Sequence, residues 1–170
     1  MNARTRTAAL AVAVALPATA VGAYAAGSAR QADPAPTASR VQLAQVVDPV
    51  GAKGRTLGLS KVEIPARTAL ALHRHPGHQI AYVEQGTLTY TVRTGVVSVF
   101  SGPADADPTL VRRVRAGQTG TVRAGQWVVE RPGDVHFGAN RGNRVVKITL
   151  ATLFRNGRPA SIPVEDDDHR

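Results

Sequence analysis

The sequence predicts an all-β domain, a barrel or a sandwich, and three observations carry that expectation. Between Val41 and Phe154 it holds ten short runs rich in β-branched residues, the residue types that suit a pleated, half-buried surface. Glycine and proline punctuate the intervals, where turns need a positive or a fixed φ. No segment of this stretch repeats its apolar residues at the 3.6-residue helical period.

In chain order, the sequence opens on Met-Asn-Ala-Arg4-Thr-Arg6, an apolar run from Ala8 to Val21, and Ala23-Tyr24-Ala25. A basic start, an apolar middle and an A-x-A close are the three parts of a secretory signal. Residues 1–25 are therefore expected to be cleaved and the protein secreted, with no stable membrane span after cleavage. An uncleaved anchor is the competing expectation, because the run approaches the roughly 20 residues that cross a bilayer; Pro17 and Gly22 weaken it. No cysteine is present to accept a lipid, and no adjacent arginine pair precedes the run, so neither lipoprotein nor twin-arginine export is supported. Residues 26–40, containing Asp33-Pro-Ala-Pro36, read as a disordered linker.

The domain is expected over residues 41–160. Its first run, Val41 to Val47, ends at Asp48-Pro-Val-Gly51, and the second, Arg55 to Ile64, ends at Pro65. A third, Thr68 to His75, stops at Pro76-Gly77, and Gln79 to Glu84 stops before Gly86. Thr87 to Arg93 carries the clearest alternation, Leu88-Thr-Tyr90-Thr-Val92, as a strand with one buried face requires. Val96 to Phe100 follows Gly95, and Ser101 to Thr109 is a loop without strand character, expected to decorate an edge and not to shape access to a site. Leu110 to Val114, Gly120 to Arg123, Trp127 to Glu130 and Arg144 to Phe154 complete the set. Asn156-Gly157 signals a turn, and residues 161–170, ending in Glu165-Asp-Asp-Asp168-His-Arg, read as an acidic flexible tail.

Composition narrows the function classes. A chain of 170 residues with 43% hydrophobic content has room for one domain. The formal charge is +9, and 18 of the 21 basic residues are arginines, dispersed except at Arg112-Arg113-Val-Arg115. Nucleic-acid binding is excluded as an expectation, because aromatics are only 4% and no basic stripe interleaves with them. The surface is instead read as solvated and basic. An exported chain without cysteine holds its fold without disulfides.

Chemistry concentrates in two segments. In His73-Arg-His75-Pro-Gly-His-Gln79 the first two imidazoles stand two residues apart, so on a strand they face one side. In Gly125-Gln-Trp-Val-Val-Glu-Arg-Pro132-Gly133-Asp-Val-His136 a third follows a Pro-Gly turn. Three imidazoles and an oxygen donor are the makings of a divalent metal site. Gln79, Ala81 and Val83 share one face of their run, while His78, Ile80, Tyr82 and Glu84 take the other.

Together these segments resemble the paired motifs of the cupin family, G-x5-H-x-H-x3-4-E-x6-G and G-x5-P-x-G-x2-H-x3-N. His73, His75, Gly86, Gly125, Gly133, His136 and Asn140 fall where the pattern asks. Three positions depart: Gln79 replaces the ligand glutamate, Arg67 stands where the first glycine belongs, and Arg131 takes the proline position beside Pro132. The resemblance spans Leu57 to Leu153 and implies a double-stranded β-helix, a jelly-roll-like barrel, with His73, His75, Gln79 and His136 as metal ligands. The metal it implies is a divalent transition ion: Fe, Mn, Ni, Cu, Co or Zn.

For Gln79 two alternatives stay open: its oxygen coordinates as a neutral donor, or the amide stands aside from a three-histidine face. Either leaves a divalent ion at a formal +2, which favours an anionic or enolate-like partner. The function the resemblance implies is a dioxygenase- or lyase-like metalloenzyme for a small molecule, and the alternative is a binding module without turnover. Glu130 and Glu84 are the nearest carboxylates able to act as a base if a turn re-aims them. His78 is expected to be structural or at the surface, His169 is incidental, and Tyr82, Tyr90, Phe137 and Trp127 are expected to line the barrel. Asn140 is expected to serve a turn or a pocket hydrogen bond. A homodimer through Val41 to Val47 is a further expectation from the resemblance.

Overall fold

In the computed structural model, residues 37–165 are described. The expected signal, most of the expected linker, and the end of the acidic tail with His169 lie outside the described residues. From there the chain runs as β1 (Ser39–Val47), β2 (Arg55–Ile64), β3 (Thr68–Ala69), β4 (His73–Arg74), β5 (Gly77–Gln85), β6 (Thr87–Thr94) and β7 (Val96–Ser101). It continues as β8 (Thr109–Arg115), β9 (Thr119–Arg123), β10 (Gln126–Glu130), β11 (Val135–Asn140), β12 (Val146–Arg155) and β13 (Ile162–Pro163). Among the described residues there is no helix.

Two antiparallel sheets result. The larger has the order β1-β2-β12-β5-β10-β7-β8, and the smaller the order β13-β4-β11-β6-β9 with β3 also beside β11. Period-two alternation aims one face of each sheet inward. Along β5, Gly77, Gln79, Ala81 and Val83 are buried while His78, Ile80, Tyr82 and Glu84 are not, as their parity requires. Ile64, Val83, Val97, Val99, Val128 and Ile148 of the larger sheet meet Leu88, Tyr90, Val92 and Val122 of the smaller in one core. Full burial of each aliphatic side chain contributes about 1.5–3 kcal/mol relative to exposure.

Four local features differ from the sequence expectation. The run Thr68 to His75 is not one strand: it divides into β3 and β4, each pairing with β11, while the His73 ring turns back onto the Ala71 carbonyl between them. Second, β11 forms from Val-His-Phe-Gly-Ala-Asn, a segment poor in strand formers, because its pairing with β6 overrides local preference. Third, Ile162 and Pro163, within the stretch expected as tail, pair with Arg74 and His73. Fourth, Tyr82 and Trp127, expected to line the barrel, face outward on the larger sheet; Tyr82 is exposed, and Trp127 stacks on Phe100 with ring centroids 4.5 Å apart. The cause is again parity, because Ala81 and Val128 take the inward positions.

Candidate metal centre

Strand pairing brings the motif histidines together. His136 of β11 is the direct cross-strand partner of His73 of β4, and His75 follows one residue after β4. All three rings are buried, with centroids 4.7 to 5.1 Å apart. One ring nitrogen from each lies within 4.8 Å of the other two. The group can hold a metal ion.

Hydrogen bonds determine which nitrogens face inward. His73 Nδ1 lies 2.7 Å from the Ala71 carbonyl and His75 Nδ1 lies 2.6 Å from the Ala160 carbonyl. A carbonyl only accepts, so each Nδ1 carries the proton and each Nε2 keeps a bare lone pair when the ring is neutral. A metal-ligating histidine is oriented in this way. The Ala160 contact comes from the segment that leads into β13.

Directly against these nitrogens lies a group that motif spacing does not assign, the carboxylate of Glu130. It sits on β10 opposite Gln79 of β5 and is 3% exposed. Its Oε1 is 3.4 Å from His136 Nε2 and its Oε2 is 3.2 Å from His75 Nε2. Tyr90 donates its hydroxyl to Oε1 at 2.8 Å, and Gln79 donates its amide nitrogen to Oε2 at 2.5 Å. The same Gln79 nitrogen lies 3.2 Å from His75 Nε2. Because a carboxylate only accepts, the Gln79 atom facing it is nitrogen, which leaves Gln79 Oε1 buried without a partner. His136 Nδ1 is likewise buried and unpartnered.

Burial sets the protonation states. It lowers the His73 pKa, against the opposing Ala71 hydrogen bond. It lowers that of His136 to about 4, aided by the neighbouring His73 and His75 and opposed by Glu130. Burial by itself raises the Glu130 carboxyl, but the facing His136 and His75 and the Tyr90 hydroxyl outweigh it and hold the pKa at about 2. Burial, then the Glu130 charge, pushes Tyr90 well above its ordinary value, so it stays a neutral donor. Near neutral pH burial therefore keeps His73 and His136 neutral beside one carboxylate. Bare nitrogens facing carboxylate oxygens repel unless a cation stands among them, so the donor set fits a divalent metal.

A cavity of about 260 Å³ opens beside these groups. Leu70, Ala81, Leu88, Ile148 and Leu150 supply apolar walls, and among the described residues Arg40 is the one lysine or arginine that lines it. Glu84, the other candidate carboxylate, faces outward to Lys61 at 3.1 Å and the Thr149 hydroxyl. His78 is exposed on the same outer face. Asn140 serves a turn: its amide donates to the carbonyls of Ile64 and Arg144, and its oxygen accepts from Gly142. No residue of the Ser101 to Thr109 loop lines the cavity.

A scan against protein-family models and a search of curated proteins each return no match to the sequence. Solved structures do match. A cupin 2 domain-containing protein from Halorhodospira halophila aligns with 82% of this chain and 78% of its own, at 15% identity and a TM-score of 0.50. A cupin-like protein from Thermotoga maritima aligns over 68% of each chain at 21% identity and a TM-score of 0.44. An oxalate decarboxylase from Lactobacillus farciminis matches 64% of this chain and 26% of its own, at 21% identity and a TM-score of 0.42. The antiparallel strand order, the paired histidine segments meeting inside the barrel and the Halorhodospira likeness lead to one conclusion: this chain has the cupin fold, a double-stranded β-helix.

Proposed function

We propose that the protein is a divalent-metal-dependent enzyme acting on a small molecule by dioxygenase- or lyase-type chemistry. The observation that carries this reading is the convergence of three buried imidazoles, with the Nδ1 atoms of His73 and His75 committed to carbonyls so that their Nε2 atoms are free to ligate. His73, His75 and His136 hold the ion, which when bound supplies Lewis-acid polarisation and, if redox-active, an electron. Leu70, Leu88, Ile148 and Leu150 exclude water and bind the apolar body of the substrate. Gln79 Oε1, a buried acceptor without a partner, accepts from a substrate hydroxyl. Arg40, an exposed side chain that lines the cavity, attracts an anionic group. Small phenols, enols and hydroxy acids combine these features.

The test is elemental analysis of protein purified without chelator or immobilised nickel, beside a His73→Ala, His75→Ala double variant. Near one equivalent of a transition metal in the wild type, lost in the variant, is the expected result, followed by turnover in an oxygen-consumption and product screen over small phenols and enols. A metal content below about a tenth of an equivalent overturns the enzyme reading. Bound metal with no turnover supports a binding module instead. We also propose export, supported by the tripartite order of residues 1–25; sequencing from the N-terminus of secreted protein is expected to start at Ala26.

A further inference from the structure

We propose that Glu130 is the carboxylate ligand of this centre, displaced by one strand from the motif position, and that Gln79 positions it. This rests on the metal-binding reading above. Three observations carry it. Gln79 and Glu130 are direct cross-strand partners on β5 and β10, so a carboxylate on either side chain reaches the same inward space. Glu130 oxygens stand 3.2 and 3.4 Å from two imidazole Nε2 atoms. Ligand bonds of about 2.0–2.2 Å place neighbouring ligand atoms about 3 Å apart, so these separations are those of atoms sharing one ion. Finally, Gln79 turns its nitrogen, which cannot ligate, to Glu130 and His75.

Tyr90 and Gln79 each donate to one carboxylate oxygen, which orients Glu130 and leaves the remaining lone pairs for the ion. With Glu130 as ligand, three neutral imidazoles, one carboxylate and a divalent ion sum to a formal +1. The +2 expected from Gln79 alone is thereby lowered. Gln79 is a positioning residue in this assignment. Its test needs a readout beyond activity, which the exchange of the two side chains provides.

The experiment measures Mn²⁺ and Co²⁺ dissociation constants by competition with a chelating dye, with circular dichroism as the folding control. E130Q is expected to weaken binding by more than about a hundredfold, beyond the tenfold to hundredfold that loss of a group merely hydrogen-bonded to a ligand costs. The exchanged variant Q79E/E130Q, which returns the carboxylate to β5 and keeps the amide–carboxylate pair, is expected to recover most of that loss. Wild-type affinity in folded E130Q overturns the proposal. If His73→Ala also binds normally, the metal reading falls with it; if His73→Ala loses the ion, only the Glu130 assignment falls. A measurement without variants of Glu130 guards against misfolding. Among the described residues Glu130 is the only carboxylate lining the cavity, so one equivalent of Zn²⁺ is expected to shift a carboxylate stretching band in the infrared difference spectrum of the wild type and not of His73→Ala. An unshifted band overturns the assignment.

Discussion

At the scale of single residues, the site joins groups that water would ionise differently. His136, with its pKa lowered to about 4 by burial, is neutral in the folded protein and takes up a proton in the unfolded chain near 6.5. The unfolded state therefore binds more protons between those values, and stability falls as pH falls through that window. Metal-free protein is expected to lose stability from pH 7 toward pH 4, with a slope approaching about 1.4 kcal/mol per pH unit from this group. Urea unfolding at several pH values, with His136→Gln as the comparison, checks it: the variant's profile is expected to be flatter. The histidines were legible because two of them follow strand parity and the third follows a Pro-Gly turn. Glu130 was visible only as one of two nearby carboxylates. Nothing in its own segment distinguishes it from Glu84; the register against Gln79 does. Arg67, which stands where the motif has glycine, adopts φ +59°, a left-handed conformation that glycine accepts most readily.

At the scale of elements, close approach between strands positions the site. Gly77 opens β5 against β12, where an added Cβ would lie 2.1 Å from the Leu153 carbonyl oxygen. Backbone cannot yield as a flexible side chain can, so Gly77→Ala is expected to destabilise by about 1–3 kcal/mol. A thermal melt checks this, and an unchanged midpoint contradicts the packing described. Nine of the ten expected runs correspond closely to single strands, because β-branched residues bounded by Gly and Pro are a local signal. The division of the run at Thr68 to His75, the strand β11 and the strand β13 were not legible. Their ladders are made with distant segments, so the stabilising hydrogen bonds leave no mark in local composition. The consequence for the centre is direct, since the segment before β13 supplies the Ala160 carbonyl that orients His75.

At the scale of the whole molecule, the centre ties together segments far apart in the chain, so an ion that binds only the folded state stabilises the entire domain. At a hundredfold excess over its dissociation constant the linkage is worth about 2.7 kcal/mol, a shift of roughly 8–15 °C in Tm for a domain of this size. A strong chelator is expected to lower the Tm of the wild type by that amount and leave the His73→Ala, His75→Ala variant unmoved; equal response in both contradicts a structural contribution from the ion. By itself the sequence determined the all-β class, most strand positions, the inward parity of β5 and the histidine set, because each follows from local composition or fixed spacing. Only the tertiary structure decided that β10 lies beside β5 in the register that sets Glu130 against Gln79, and that Ala160 returns to His75. Those pairings join residues 51 and 85 positions apart, and it is the burial of a shared core, not any preference of the residues involved, that brings them together.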